Sequence, residues 1–336
     1  MKKRLIAMLL AGAMCASIAG CSTGSETTEG TQQSGEEAGS ASYKVSVILK
    51  TLAAEYWQYV KAGAEAYGAE HANAVTVEVK GPSSETAFDE MQNMIETDLN
   101  SDYDGVIISP LQSDTAVQLV SGVEIPIIAL DTKFEAPEVV SFVGTGNEEA
   151  AKQGAIKAVE AAKEAGWETV QCIEIAGVQG DETNTARMKG YQSGVEEAGG
   201  VFLADEVQYA NATADNAVTC MEAIMQTHPE GIAIICANND DMAMAAARAA
   251  EGNAAYANTI FLGFNGDRAA CEAILNDELT MSVAQMAYEM GYKAVETMVQ
   301  YLDGEQVESF VDSGSEVITL DNAQTRLDTL DEQLGA

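Results

Sequence analysis

Ile125-Pro126-Ile127-Ile128-Ala129-Leu130-Asp131 is a run of apolar residues that stops on a carboxylate. Its apolar positions do not alternate, so one wet and one dry face cannot be drawn on it. A short continuous run of this kind suits a strand covered on both faces, as in a parallel sheet. Gly105-Val106-Ile107-Ile108-Ser109-Pro110 reads the same way and is ended by proline. On either side of these runs, strand-like and helical stretches alternate. Val45 to Leu49 is a β-branched run, Tyr56 to Ala69 has helical spacing, Val75 to Val79 alternates as a strand, and Phe88, Met91, Ile95 and Leu99 form one stripe of a helix over Thr86 to Leu99. Val139 to Val143 is a further strand.

After Gly144-Thr145-Gly146 the beat resumes. Helices are predicted over Ala150 to Ala165, Thr185 to Ala198, Asn216 to Thr227, Asp240 to Ala250, Arg268 to Asn276 and Ala287 to Leu302. Strands are predicted over Val170 to Ile175, Val201 to Val207, Gly231 to Cys236, Thr259 to Phe264 and Met281 to Ala284. Repeated βαβα alternation argues for a doubly wound parallel-sheet α/β fold, and its doubling for two such lobes. About 290 residues beyond the N-terminal segments suit two cores better than one. In open α/β sheets ligands bind beyond the C-terminal ends of the strands, so residues just after each strand are the candidates for function.

The N-terminus reads as targeting. Lys2, Lys3 and Arg4 precede an apolar stretch, Leu5 to Ala19, that is too short and too rich in Ala and Gly for a membrane-spanning helix. Ile18-Ala19-Gly20-Cys21 resembles a bacterial lipoprotein cleavage box, with small residues beside the scissile bond and the Cys21 thiol as lipid acceptor. An ordinary secretory signal with an incidental Cys21 is the plainer alternative. Residues 22–42 are Ser, Thr, Gly, Glu and Gln with nothing apolar larger than Ala, a composition that cannot bury enough surface to offset its ordering entropy, and so a flexible linker.

Net charge is −36, and removal of the three N-terminal cations makes it more negative still. Such a field repels phosphate backbones, so nucleic acid is not an expected partner. No Walker loop, Gly-x-Gly-x-x-Gly or Gly-x-Ser-x-Gly elbow follows a strand, and neither His71 nor His228 has a partner at metal spacing. Catalysis, a metal and a cofactor are therefore not expected. Cys172, Cys220, Cys236 and Cys271 lack motif spacing. Cys172 and Cys236 read as small hydrophobes within strands, and a disulfide stays open.

The strand ends carry polar and aromatic residues. Tyr56 and the adjacent Trp57 can offer a ring face to the C–H face of a sugar, or simply pack in the core. Asp131 can accept two hydroxyl hydrogen bonds, or serve as a cap or loop acid. Arg187 offers a fork of five donors, or a surface ion pair. Asn238-Asn239-Asp240-Asp241-Met242 follows one strand, with Asp240 a candidate helix cap. Asn265 and Gln285 follow two others. The set makes hydrogen bonds but is not reactive.

At these residues the chain resembles the ribose-binding-protein family, the type I solute-binding proteins of sugar ABC transporters. Asn239-Asp240-Asp241-Met242-Ala243 resembles that family's Asn-Asp-x-Met-Ala turn, Gly263-Phe264-Asn265-Gly266 its Gly-Phe-Asp-Gly turn, Val283-Ala284-Gln285 its Ala-Gln strand end, and Arg187-Met188-Lys189-Gly190 its Arg-x-x-Gly helix start. The resemblance covers nearly all of Tyr43 to Leu320. It implies ligand contacts from Tyr56, Trp57, Asp131, Arg187, Asn239, Asn265 and Gln285. The family's second aspartate is Asn265 here, an arginine after the first aspartate is Thr132, the first-loop asparagine is Ala54, and an aromatic expected near Ala212 is missing. These departures imply a pocket that has lost a carboxylate and a guanidinium, and a sugar or polyol other than ribose.

The same resemblance implies a first lobe of 43–145 with 286–312 and a second of 146–285 with 313–336. It implies crossings near Thr145-Gly146, Gln285-Met286 and Asp312-Ser315, with hinge closure on ligand. The expected whole is a monomeric lipoprotein at the outer face of the cytoplasmic membrane, or in a periplasm. It would capture a small neutral sugar or polyol for an ABC permease. Presentation of the solute to a receptor kinase or chemoreceptor is the alternative.

Overall fold

The structure, a computed structural model, describes residues 42–335. The expectations for residues 1–41, including the signal, Cys21 and most of the linker, lie outside the described residues.

Five strands open the first sheet: β1 (Tyr43–Ile48), β2 (Val75–Lys80), β3 (Gly105–Ile108), β4 (Ile127–Leu130) and β5 (Val139–Gly144). They are joined by helices α1 (Glu55–Glu70), α2 (Phe88–Leu99) and α3 (Ser113–Val120). The second sheet holds β6 (Gln171–Ala176), β7 (Val201–Phe202), β8 (Gln208–Tyr209), β9 (Ile234–Ala237), β10 (Ile260–Asn265) and β11 (Met281–Gln285). Its helices are α4 (Asn147–Glu164), α5 (Glu182–Glu197), α6 (Ala214–Thr227), α7 (Asp240–Ala250) and α8 (Arg268–Leu275). The chain then returns through α9 (Ala287–Leu302) and β12 (Phe310–Asp312), and ends with β13 (Ser315–Ile318) and α10 (Ala323–Leu334). Strand order is β12-β5-β4-β3-β1-β2 in the first sheet and β13-β11-β10-β9-β6-β7 in the second, with β8 also on β6. Every pairing is parallel except β11 with β13. These are the two doubly wound lobes that the alternation predicts.

Each sheet is buried on both faces, which is why its strands read as continuous apolar runs. In the first, Val47, Ile107, Ile128 and Leu130 pack toward α1 and α9, while Ile48, Val106, Ile108 and Ala129 pack with Met91, Ile95 and Val120 of α2 and α3. In the second, Cys172, Ile234 and Leu262 meet α4 and α5, while Ile173, Ile235 and Phe261 meet α6 and α7. Helices α1 and α9 touch backbone to backbone at two glycines. A Cβ on Gly63 would lie 1.8 Å from the Tyr288 carbonyl oxygen, and one on Gly291 1.9 Å from that of Val60.

Several elements differ from expectation: β12, β13 and α10 fill a C-terminal stretch with no predicted element, the two strands being only three and four residues long, too short to show a period. Helix α3 fills a stretch with no predicted element; it has only eight residues, too few for a clear apolar stripe. The strand expected over Val201 to Val207 is two short pieces around a 3₁₀ turn at Ala204–Glu206. Asp205 and Glu206 lie in that turn, and Glu206 meets the ring of His228, Oε2 to Nε2 at 2.6 Å.

The chain passes from one sheet to the other three times, between β5 and α4, between β11 and α9, and between β12 and β13. Asp312 ties two of these passages. Its Oδ1 accepts from the amides of Gly146 at 3.2 Å and Gly314 at 2.9 Å. Helix α10 touches both lobes, with Leu327 in the second lobe's core and Leu330 in the first's. Away from these passages Arg268 of α8 reaches Glu55 at the start of α1, Nε to Oε1 at 3.3 Å, and also pairs with Asp331.

Candidate functional site

In the first sheet, Ile48 pairs with Ile108, Ile108 with Ala129, and Leu130 with Val143, so Lys50, Ser109 and Asp131 arrive at one edge. In the second, Ile175 pairs with Ala237 and Asn265 with Ala284, which gathers Asn238, Asn265 and Gln285 at another.

Asp131 turns the chain out of β4 with φ of 60°, in the left-handed region that Asp tolerates better than most residues. Its carboxylate is well occupied. Oδ1 accepts from Tyr56 Oη at 2.9 Å; Oδ2 accepts from Thr132 Oγ1 at 2.9 Å and lies 3.6 Å from Lys50 Nζ. Burial, then the charge of Asp131, holds the Tyr56 phenol well above its ordinary range, so it is a donor at neutral pH. Trp57 is buried in the core beneath, 3% exposed, edge-on to Tyr56 with ring centroids 5.0 Å apart, and its Nε1 donates to Glu85 Oε1 at 2.8 Å. Its packing is therefore that of a core residue, and Tyr56 is the ring nearer the carboxylate.

Arg187 is no surface ion pair. It is 6% exposed on α5; its Nε donates to Asn147 Oδ1 and its Nη1 to the Asn238 carbonyl, both at 2.8 Å. The guanidinium carbon lies 3.8 Å from the centroid of the Phe264 ring, a stacked cation–π pair. Tyr56 and Asp131 of the first lobe are near enough to act on it electrostatically. Gln285 Nε2 donates to Asn265 Oδ1 at 2.9 Å, and Asn265 Nδ2 donates to Asp267 Oδ2 at 3.2 Å. Asn239 is the helix cap. Its Oδ1 accepts from the Met242 amide at 2.9 Å, and its Nδ2 donates to the Ala212 carbonyl at 3.3 Å. Asp240, expected to cap, instead sits within α7 and accepts from Ser282 Oγ at 2.6 Å and from the Asp267 amide at 3.1 Å.

The structure thus joins Tyr56 to Asp131 and Asn265 to Gln285, holds Arg187 within electrostatic reach of the first pair, and pins Asn239 and Trp57 by contacts of their own. The two charges that residues 265 and 132 lack return next door. Lys50 supplies a cation beside Asp131, and Asp267 a carboxyl beside Asn265. Burial, then the charge of Asp240, pushes the Asp267 carboxyl up from its ordinary range. Neither is among the expected site residues, although Lys50 follows β1 and Asp267 follows β10, so strand-end position is the signal that could have found them. Buried Ser109 Oγ and Asn238 Oδ1, also at strand ends, have no hydrogen-bond partner.

A cavity of about 670 Å³ opens between the lobes beside Asp131 and Asn147, on the side of the β5–α4 passage. Asp131 is the one expected site residue that lines it. Among the described residues no cluster of three groups suited to a metal occurs, and no helix is long and apolar enough to cross a membrane. Cys172 Sγ and Cys236 Sγ lie 3.5 Å apart as free thiols on neighbouring strands.

Residues 45–306 match the family model described as periplasmic binding protein domain. The ribose import binding protein of Escherichia coli is 30% identical over 207 residues, 61% of this chain and 67% of that protein. Its Bacillus subtilis counterpart is 25% identical over 273 residues, 80% of this chain and 85% of that protein. A solved periplasmic ribose ABC transporter protein from Conexibacter woesei superposes with a TM-score of 0.74 at 20% identity, over 89% of this chain and 97% of that one, a likeness of fold. These relatives are binding and transport proteins rather than enzymes. The chain belongs to the periplasmic binding protein family, in the type I, two-lobed form of the sugar-binding proteins of ABC transporters.

Proposed function

We propose that this protein captures a small neutral sugar or polyol between its lobes and delivers it to an ABC permease. The observation that carries the reading is the convergence of hydrogen-bonding side chains from opposite lobes. Tyr56 and Asp131 stand on one side, Arg187, Asn265 and Gln285 on the other, with Phe264 stacked beneath the guanidinium. Asn239 holds the loop of the second lobe, and Trp57 backs Tyr56. Such a set binds hydroxyls without offering a nucleophile or a metal. The ligands in related names point the same way: ribose, apiose and allose for curated relatives, and myo-inositol for one solved structure.

The three passages between sheets fit a hinge between a first lobe of 43–145 with 286–312 and a second of 146–285 with 313–336. A lipid on Cys21 after cleavage of a signal over 1–20, with residues 21–42 as leash, would keep the captured solute beside its permease. Two or three acyl chains at about 0.8 kcal/mol per buried CH₂ suffice for that. The test is a thermal-shift screen of the purified protein against sugars, polyols and nucleosides. Ligand at a hundred times its Kd should add about 2.7 kcal/mol of stability, and Arg187→Ala should abolish most of the shift. Normal binding by Arg187→Ala and Asp131→Ala would remove the site assignment. Unchanged small-angle scattering with a ligand that raises the melting temperature would remove hinge closure.

A further inference from the structure

The cavity between the lobes is not explained by a single sugar ring at Tyr56, Asp131 and Arg187. It touches that cluster only at its edge, through Asp131 and through Asn147, the acceptor for Arg187. From there it runs away from the strand ends and over β5 and β12. At about 670 Å³ it falls within the range of roughly 300–1,000 Å³ that holds a whole small-molecule ligand. Its floor is aromatic. Phe142 and Phe310, paired in register on neighbouring parallel strands, stack with centroids 5.4 Å apart and planes 18° from parallel. Val143, next to Phe142, turns into the core under α1 and α9, whereas Phe310 remains 43% exposed in the cavity wall. A phenylalanine that exposed, in a concave wall formed by both lobes, calls for something to lie on it. The rim is acidic: Glu148 and Glu149 open α4, Glu182 opens α5, and Glu135 is paired with Lys133. Carboxylates accept from hydroxyls and repel anions, while an aromatic floor takes the C–H face of a ring.

Resting on the sugar-binding reading above, we propose that the solute has two sugar rings. The first ring sits at Tyr56, Asp131 and Arg187, and the second packs against Phe310, which Phe142 backs, with its hydroxyls toward the carboxylates of Glu148, Glu149 and Glu182. The protein is then a disaccharide receptor in which the β5–β12 floor sets the length of the ligand.

The test is calorimetry on the purified full chain with matched pairs: D-xylose and xylobiose, D-glucose and cellobiose, D-galactose and lactose. Wild type should bind one disaccharide at least tenfold more tightly than its own monosaccharide. Phe310→Ala, a truncation at an exposed position, should reduce disaccharide affinity about fivefold to twentyfold and leave the monosaccharide unchanged. Glu182→Gln should weaken the disaccharide alone. A monosaccharide bound as tightly as its disaccharide, or Phe310→Ala affecting both sugars equally or neither, overturns the second-ring site while leaving the sugar-binding reading intact. Failure of all three disaccharides to bind, when a sugar or polyol of the thermal-shift screen does bind, overturns the second-ring site alone; failure of every sugar and polyol in both panels overturns both.

Discussion

Glu174 gives the sharpest test of the second lobe's electrostatics. It lies on β6, between β9 and the short edge strands β7 and β8, fully buried, and neither carboxylate oxygen has a hydrogen-bond partner. Burial pushes its carboxyl up to about 8 from an ordinary 4.5, and Arg187 pulls it back only in part. An acid whose folded pKa is raised binds more protons folded than unfolded. Its contribution to stability is therefore full below about pH 4.5 and is lost as pH climbs toward 8. The slope across that window is about 1.36 kcal/mol per pH unit, so the step from pH 5 to pH 7 removes roughly 2.5 kcal/mol. Glu174→Met keeps the length and removes the ionisable group. Urea unfolding midpoints for both proteins at pH 5 and pH 7 give the difference between their pH dependences, which cancels the other titrating groups. The variant should lose about 2–3 kcal/mol less than wild type over that interval and be the more stable at pH 7. Equal pH dependence in the two proteins would refute the argument, because Glu174 would then have to be solvated or paired.

Two other perturbations test the contacts between elements. Arg268→Ala removes the ion pairs to Glu55 and Asp331, which join α8 to α1 and α10. Being partly exposed they are worth about 1 kcal/mol or less each, so the loss should appear as faster release of bound sugar in stopped-flow fluorescence, with the melting temperature nearly unchanged. Gly63→Ala places a methyl against the Tyr288 carbonyl and should force α1 from α9 at a cost of about 1–3 kcal/mol, seen as a lower melting temperature with or without ligand.

Much of this architecture could be read from the chain because burial on both sheet faces leaves continuous runs such as Ile127 to Leu130. The strand-end rule then led to Asp131, Arg187, Asn265 and Gln285 without any knowledge of contacts. What stayed hidden was the choice among equivalent partners. Asn238-Asn239-Asp240-Asp241 offers four residues able to cap a helix, and only the packing of Ser282 and the Asp267 amide against Asp240 leaves the cap to Asn239. Trp57 could face a ligand or the core; the decision lies with Glu85, twenty-eight residues away. Lys50 and Asp267 carry no motif of their own; only the fold sets the Lys50 ammonium beside Asp131 and the Asp267 carboxyl beside Asn265. The Phe142–Phe310 floor joins strands 168 positions apart in the chain, a separation at which local periodicity carries no information.

The single oxygen of Asp312 that accepts from both Gly146 and Gly314 has a mechanical meaning. Two of the three strands of chain between the lobes are fastened to one atom. Twisting one passage shortens or lengthens the bond to the other, so neither can swing alone. Joints built from independent linkers behave like a ball in a socket, and a ligand arriving off-centre meets jaws that are out of line. A shared fastening leaves something closer to a door on one pin. Should the lobes close on ligand as proposed, the jaws would meet in the same alignment each time, with Arg187 returned to the same place opposite Asp131.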